Sequence, residues 1–168
     1  MRRDSMRKRR CSISQPLEGR RRVLGAEHKD TLATLNNMGV LFHQVEDYEG
    51  ALDYYRRALR GKEKVFGKTH PNTLSTIMNM GTVYREGLKD FTKAEEVSRL
   101  ALEGYDKSLG KEHEEMRKCA FNFAVLIVQE LKDKAKMRAH VKVFPDLLGE
   151  NEYPQGPQLA DDIRMLLA

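Results

Sequence analysis

Two closely similar phrases of seventeen residues stand 42 residues apart in this chain. VLGAEHKDTLATLNNMG occupies residues 23–39 and VFGKTHPNTLSTIMNMG residues 65–81. A looser third copy, SLGKEHEEMRKCAFNFA, occupies residues 108–124, 43 residues further on. Self-similarity at a fixed period of this length means stacked supersecondary units, each unable to bury its own apolar face without a neighbour. Gly25, Gly67 and Gly110 align, as do His28, His70 and His113, and Asn37, Asn79 and Asn122. The extra residue of the longer period falls in REGLKDF (85–91), set against HQVEDY (43–48), and is expected as a loop insertion.

Each unit reads as two helices. Leu35, Met38, Gly39 and Phe42 lie on one face of a helix, and Ile77, Met80, Gly81 and Tyr84 repeat it. Asp30 and Asn72 stand ahead of these faces as expected N-caps. A second helix follows Asp47 and Asp90, which are also good caps. It carries Ala51, Tyr55, Ala58 and Leu59 in one copy and Ala94, Ser98, Ala101 and Leu102 in the next. Gly39 and Gly81 are expected to face Ala51 and Ala94, so that two backbones approach closely. Gly67 and Gly110 are expected as left-handed C-caps. The fold class is therefore all-α: antiparallel helix pairs stacked in a short superhelix.

Leu35-x-x-Met38-Gly39-x-x-Phe42, followed by Ala51, Tyr55 and Ala58, resembles the tetratricopeptide repeat. The 42-residue period and the phrase LG-x-x-H…TL…N-x-x-G resemble the long-helix variety found in kinesin light chains. The likeness covers about Leu17 to Phe144. There are departures. Only His70-Pro71 keeps the family's His-Pro link, Ser98 replaces the aromatic supplied by Tyr55, and Met137, Val141 and Phe144 alter the third second-helix. No sustained heptad pattern is present, so binding to a motor heavy chain is not expected.

The organisation expected from these columns has three parts. Residues 1–13 form a basic arm. Residues 14–144 form the array, with a half repeat introduced by Ser14 and Pro16, two full repeats and one altered repeat. Residues 145–168 form an irregular link, rich in proline, and a short capping helix from Leu159. Charge follows this division. Residues 1–22 hold nine Arg and Lys against two acidic residues, +7 of a total of +5, so the other 146 residues carry −2. Nucleic-acid or anionic-surface binding is thus confined to residues 2–22, and stands as the alternative function. Within the arm, Arg7–Arg10 resembles a nuclear import signal, and Ser5 and Ser12 follow basic residues as kinase sites do.

Chemistry-bearing motifs are lacking. No HExxH, paired CxxC, phosphate loop or GxSxG occurs, so no catalytic residue, metal or cofactor is expected. The aligned histidines, one per link, are expected to be structural. Cys11 and Cys119 make no disulfide framework, which points to a reducing, cytoplasmic setting. The longest apolar run, residues 123–128, is far too short to span a bilayer.

The face opposite the core carries Asn36, Val40, His43 and Gln44, with Asn37 at its edge. The family resemblance implies that this side lines a concave, peptide-receiving groove. Asn79, Thr82, Arg85 and Glu86 continue it in the second repeat and Asn122 in the third. An amide offers two donors and an acceptor, so the aligned asparagines suit a peptide backbone. They suit equally well a role in bonding the links and stabilising the stack. The expected function is a non-enzymatic protein-interaction module with a protein or peptide partner.

Overall fold

The computed structural model describes residues 17–111, 113–143 and 156–168. The described residues form helices and turns, with no strand among them. Helix α1 covers residues 17–24. It is followed by α2 (Lys29–Gln44), α3 (Tyr48–Phe66), α4 (Pro71–Thr82), α5 (Phe91–Leu109), α6 (Glu114–Val125), α7 (Lys134–Val143) and α8 (Gly156–Leu167). A π-helical turn extends α4 over Val83–Gly87, and another extends α6 over Leu126–Leu131. The pairs α2/α3 and α4/α5 pack internally, and α3 packs on α4 and α5 on α6, which is the stacking of an α-α superhelix. Ser14, Pro16 and Phe144 lie outside the described residues, as do residues 1–13 with Ser5, Ser12 and Arg7–Arg10.

The recurring histidines start the first helix of every pair. Nδ1 of His28, His70 and His113 accepts the N–H two residues on, from Asp30 at 3.2 Å, Asn72 at 3.1 Å and Glu115 at 3.1 Å. Asp30 and Asn72 are therefore not the caps that their chemistry suggested. They sit inside the first turn, where Asp30 still favours the positive end of the helix dipole. The link histidine is structural in a definite sense, as an N-cap acceptor. The second helices start on aspartates. Asp47, Asp90 and Asp133 accept from Gly50, Lys93 and Lys136 at 3.0–3.1 Å. Each of these aspartates follows a residue held at positive φ: Glu46 at 60°, Lys89 at 54° and Lys132 at 50°.

The extra residue of the second repeat is not a loop insertion. Asp47 N–H bonds Phe42 C=O at 2.9 Å, and the aligned pair Asp90 and Tyr84 makes the same 2.9 Å bond with one more residue between them. The helix absorbs it by widening to a π turn, in which Leu88 N–H reaches Val83 C=O at 3.0 Å. The third repeat, equally long from His113 to Asp133, widens at Leu126–Leu131.

Two glycine expectations are refined. Gly67 and Gly110 end α3 and α5 at φ 94° and 79°, but with ψ at 164° and 169°. That is the mirror-image extended region, open essentially to glycine alone, rather than the left-handed helical one. Gly39 faces the Tyr55 ring instead of Ala51. A Cβ on Gly39 would lie 2.5 Å from the ring, whereas one on Gly81 would meet Val97 at 3.2 Å and Ser98 at 3.4 Å.

The core runs through the stack. Met38, Phe42, Leu52 and Tyr55 of the first pair cluster with Met80, Val83 and Tyr84 of the second and Leu126 of the third. Leu17 of α1 is buried with Leu32, Leu35 and Ala58. At the other end Val125, Val128 and Met137 are buried with Leu159 and Ile163 of α8.

Candidate functional site

The first helices α2 and α4 meet along their polar sides, and these contacts bring four of the expected groove residues together, Asn36 with Asn79 and His43 with Glu86. Asn36 Oδ1 accepts from Asn79 Nδ2 at 3.4 Å and from Thr76 Oγ1 at 3.1 Å. His43 Nε2 lies 3.9 Å from Glu86 Oε2, and its ring lies 5.8 Å from that of Tyr48. Glu86 is also paired with Arg85, Nη2 to Oε1 at 2.5 Å. Thr82 donates to Met78 C=O at 3.3 Å in its own helix. Val40 is half-buried beside the central cluster. Asn37 and Gln44 are exposed.

The asparagine column has unequal surroundings. Asn79 reaches back to the preceding repeat's Asn36, across the seam between α2 and α4. Asn37 has no preceding first helix among the described residues. Asn122 is exposed and borders a hollow with Thr82 and Arg85, floored by Gly81, Ala94 and Ser98. Side-chain size accounts for the hollow. In the first repeat the Tyr55 ring covers Gly39; in the second, Ser98 stands in the tyrosine's place, and Val97 and Ser98 lie beside Gly81 at the edge of the hollow.

Behind this face lies a polar contact that the notable columns did not reveal. Lys62 of α3 is only 6% exposed. Its Nζ donates to Thr76 Oγ1 at 2.8 Å and to Asn72 C=O at 2.9 Å. Burial lowers the Lys62 pKa from its ordinary 10.5 to about 8. The same positions one repeat earlier are Arg20 and Thr34, bonded at 2.6 Å. One repeat later they are Tyr105 and Cys119, both buried, and the Tyr105 hydroxyl makes no hydrogen bond. Burial raises the Cys119 thiol to about 12, so it is an inert core group. The signal was in the sequence as a basic, basic, aromatic column at 20, 62 and 105, set against Thr, Thr, Cys at 34, 76 and 119.

Among the described residues no group of three or more His, Cys, Asp or Glu side chains is placed to hold a metal ion. No helix among them is long and apolar enough to cross a membrane.

Residues 31–72 match the tetratricopeptide repeat family. No curated protein sequence is significantly similar to the chain. Among solved structures, BtubC (BKLC) of P. vanneervenii superposes with a TM-score of 0.67 at 18% identity, over 84% of this chain and 57% of that one. A kinesin light chain-type protein of Podosopora anserina with nearly identical TPR-like repeats gives 0.66 at 13% identity, over 92% of this chain and 83% of that one. A variant of the same protein gives 0.67 at 13% identity, over 92% and 82%. The chain thus spans little more than half the length of BtubC and most of the Podosopora protein. The matched segment covers one helix pair with its links, and the pairs that follow repeat its caps, turns and core columns. Residues 31–72 are thus a tetratricopeptide repeat, and the described residues share the solenoid fold of these kinesin light chain-like repeat proteins.

Proposed function

We propose that this protein binds an extended peptide segment of a protein partner along the face formed by α2, α4 and α6. Tetratricopeptide repeats in general mediate protein–protein interaction, and this reading assigns that role to one surface. The observation that carries it is the direct contact between successive first helices, Asn36 with Asn79 and His43 with Glu86. These contacts join the polar faces of α2 and α4 into one strip of residues distant in sequence, and Asn122 of α6 borders the hollow that Thr82 and Arg85 line at its end. Asn36, Asn37, Val40, His43 and Gln44 supply its first part, Asn79, Thr82, Arg85 and Glu86 its second, and Asn122 its third. The amides and the Arg85–Glu86 pair offer both donors and acceptors to a peptide backbone. The water-sized hollow beside Asn122 marks the place where Ser98 replaces tyrosine. Specificity on a repeated frame comes from such departures between repeats.

The test uses peptides selected on the full-length protein from a displayed random library. Arg85→Ala and Asn122→Ala should each weaken the selected peptides by about 0.5–1.5 kcal/mol per lost bond, while Arg99→Ala, on the exposed side of α5, should not. Equal affinities across all three variants would place the binding surface elsewhere.

A further inference from the structure

At one position the strip differs sharply from repeat to repeat. Asn36, Met78 and Phe121 occupy the same column, so only the first repeat presents an amide there. That amide is the end of a chain of hydrogen bonds beginning at buried Lys62, which donates to Thr76 Oγ1 at 2.8 Å. An ammonium can only donate, so Thr76 Oγ1 is an acceptor on that side and its own proton must go elsewhere. Two acceptors are within reach: Asn72 C=O at 3.3 Å and Asn36 Oδ1 at 3.1 Å. The Asn72 carbonyl already receives Lys62 at 2.9 Å and Ser75 Oγ at 3.0 Å. Asn36 Oδ1 is both nearer and less crowded. It also receives Asn79 Nδ2, and an amide oxygen engaged twice in the seam turns its NH2 group the other way.

We propose that Lys62, acting through Thr76, is a positioning residue that locks the Asn36 amide with its oxygen in the seam and its N–H donors toward the strip, where they receive a backbone carbonyl oxygen of the bound segment. The ligand half of this statement rests on the peptide-binding reading above; the positioning half does not. The relay is built at this seam and not at its neighbours. At the preceding one the Thr34 proton goes to its own helix, to Asp30 C=O at 2.7 Å. At the following one Tyr105 and Cys119 replace the charged donor and the hydroxyl. The device therefore coincides with the one repeat that has an amide for it to hold.

The positioning half is tested on the full chain without any ligand, by NMR relaxation of asparagine side-chain 15N. In the wild type the Asn36 amide should be ordered, with S² near the rigid limit of about 0.85, while exposed Asn37 stays below about 0.6. Thr76→Val and Lys62→Met should each bring Asn36 down to the Asn37 range, and Thr76→Ser should restore it. Should Lys62→Met fail to fold, the near-isosteric Thr76→Val and its rescue by serine decide the matter. An Asn36 amide that is mobile in the wild type, or that keeps its order in Thr76→Val, overturns the proposal. The ligand half is read with a library-selected peptide. Thr76→Val and Asn36→Ala should each weaken it by about threefold to tenfold, with no further loss in the double variant. Loss of Asn36 order with unchanged affinity would overturn the carbonyl contact and leave the relay standing. Unchanged affinity in the strip variants Arg85→Ala and Asn122→Ala as well would show instead that the peptide-binding reading had failed.

Discussion

Single positions decide how tightly the repeats close. Gly39 and Gly81 occupy one column, yet they face different neighbours, so they should respond differently to the same change. Alanine at 39 meets the Tyr55 ring at 2.5 Å and should cost about 1–3 kcal/mol, against a helix-propensity gain of about 0.5–1 kcal/mol. At 81 the nearest atoms lie at 3.2 and 3.4 Å, and the gain should offset most of the cost. Urea denaturation of both variants checks this; equal losses would contradict the assigned packing. The close approach was legible in the sequence as a recurrent glycine, but its partner was not. Sequence spacing places Ala51 and Tyr55 on the same helical face and does not say which of them meets the glycine. Lys62 makes a second residue-scale prediction. Below about pH 8 it is charged in both the folded and the unfolded chain, and above 10.5 it is neutral in both. Between these limits the unfolded chain holds the proton that the folded protein has released, so stability rises with pH. Wild type should therefore gain on Lys62→Met from pH 8 to 10.5 in denaturation midpoints. Parallel curves would mean that Lys62 is not held in the buried seam.

Helix ends and turns were the least legible elements. The histidine column is plain in the sequence, but aspartate and asparagine are the stronger N-caps, so cap preference alone points two residues too far along. What the pattern lacked was backbone geometry: the histidines lie at φ −67 to −74°, extended, with Nδ1 over the second N–H. His70→Ala should cost about 0.5–2 kcal/mol and His70→Asn much less, measured by thermal unfolding. Equal losses would mean that the stacking of His70 on Phe66, at 5.0 Å, matters more than the cap. The π turns were equally hidden, since an inserted residue looks the same in a sequence whether a loop or a helix absorbs it. Near the end of the array His140 ties α7 to α6, with Nε2 2.9 Å from Ala120 C=O and the ring edge-on to Phe123. Burial holds its pKa below the usual 6.5, so in acid the unfolded chain binds the proton more readily and stability falls as pH drops through that range. Protection factors for hydrogen exchange in α7 and α8, taken against the intrinsic rates at each pH, should fall from pH 7 to 5 in the wild type and much less in His140→Gln; equal falls would mean that His140 is not the group responsible.

The whole array was the most legible level, because a repeat states its own fold: one helix pair, seen three times, has to stack. The same logic explains why equivalent residues differ in worth along the stack. Leu41, Val83 and Leu126 share a column, but Leu41 is 43% exposed while Val83 and Leu126 are 0% and 1% exposed, each covered by the repeat before it. Replacing Val83 with Ala should cost on the order of 1–3 kcal/mol, and replacing Leu41 with Ala close to nothing. What the repeat could not state is which surface works. Helical periodicity groups Asn36, Val40 and His43 on one side of α2, whereas the bonds that Asn36 and His43 make across the seam depend on how one pair sits on the next. The central claim is that α2, α4 and α6 together receive a peptide. Hydrogen–deuterium exchange of the full chain with and without a saturating library-selected peptide tests it most directly. Added protection should appear in α2 and α4 around Asn36–His43 and Met78–Glu86, and reach α6 at Asn122, with α3 and α5 unchanged on their exposed sides. Protection concentrated in α3 and α5, with the first helices unaffected, would contradict it.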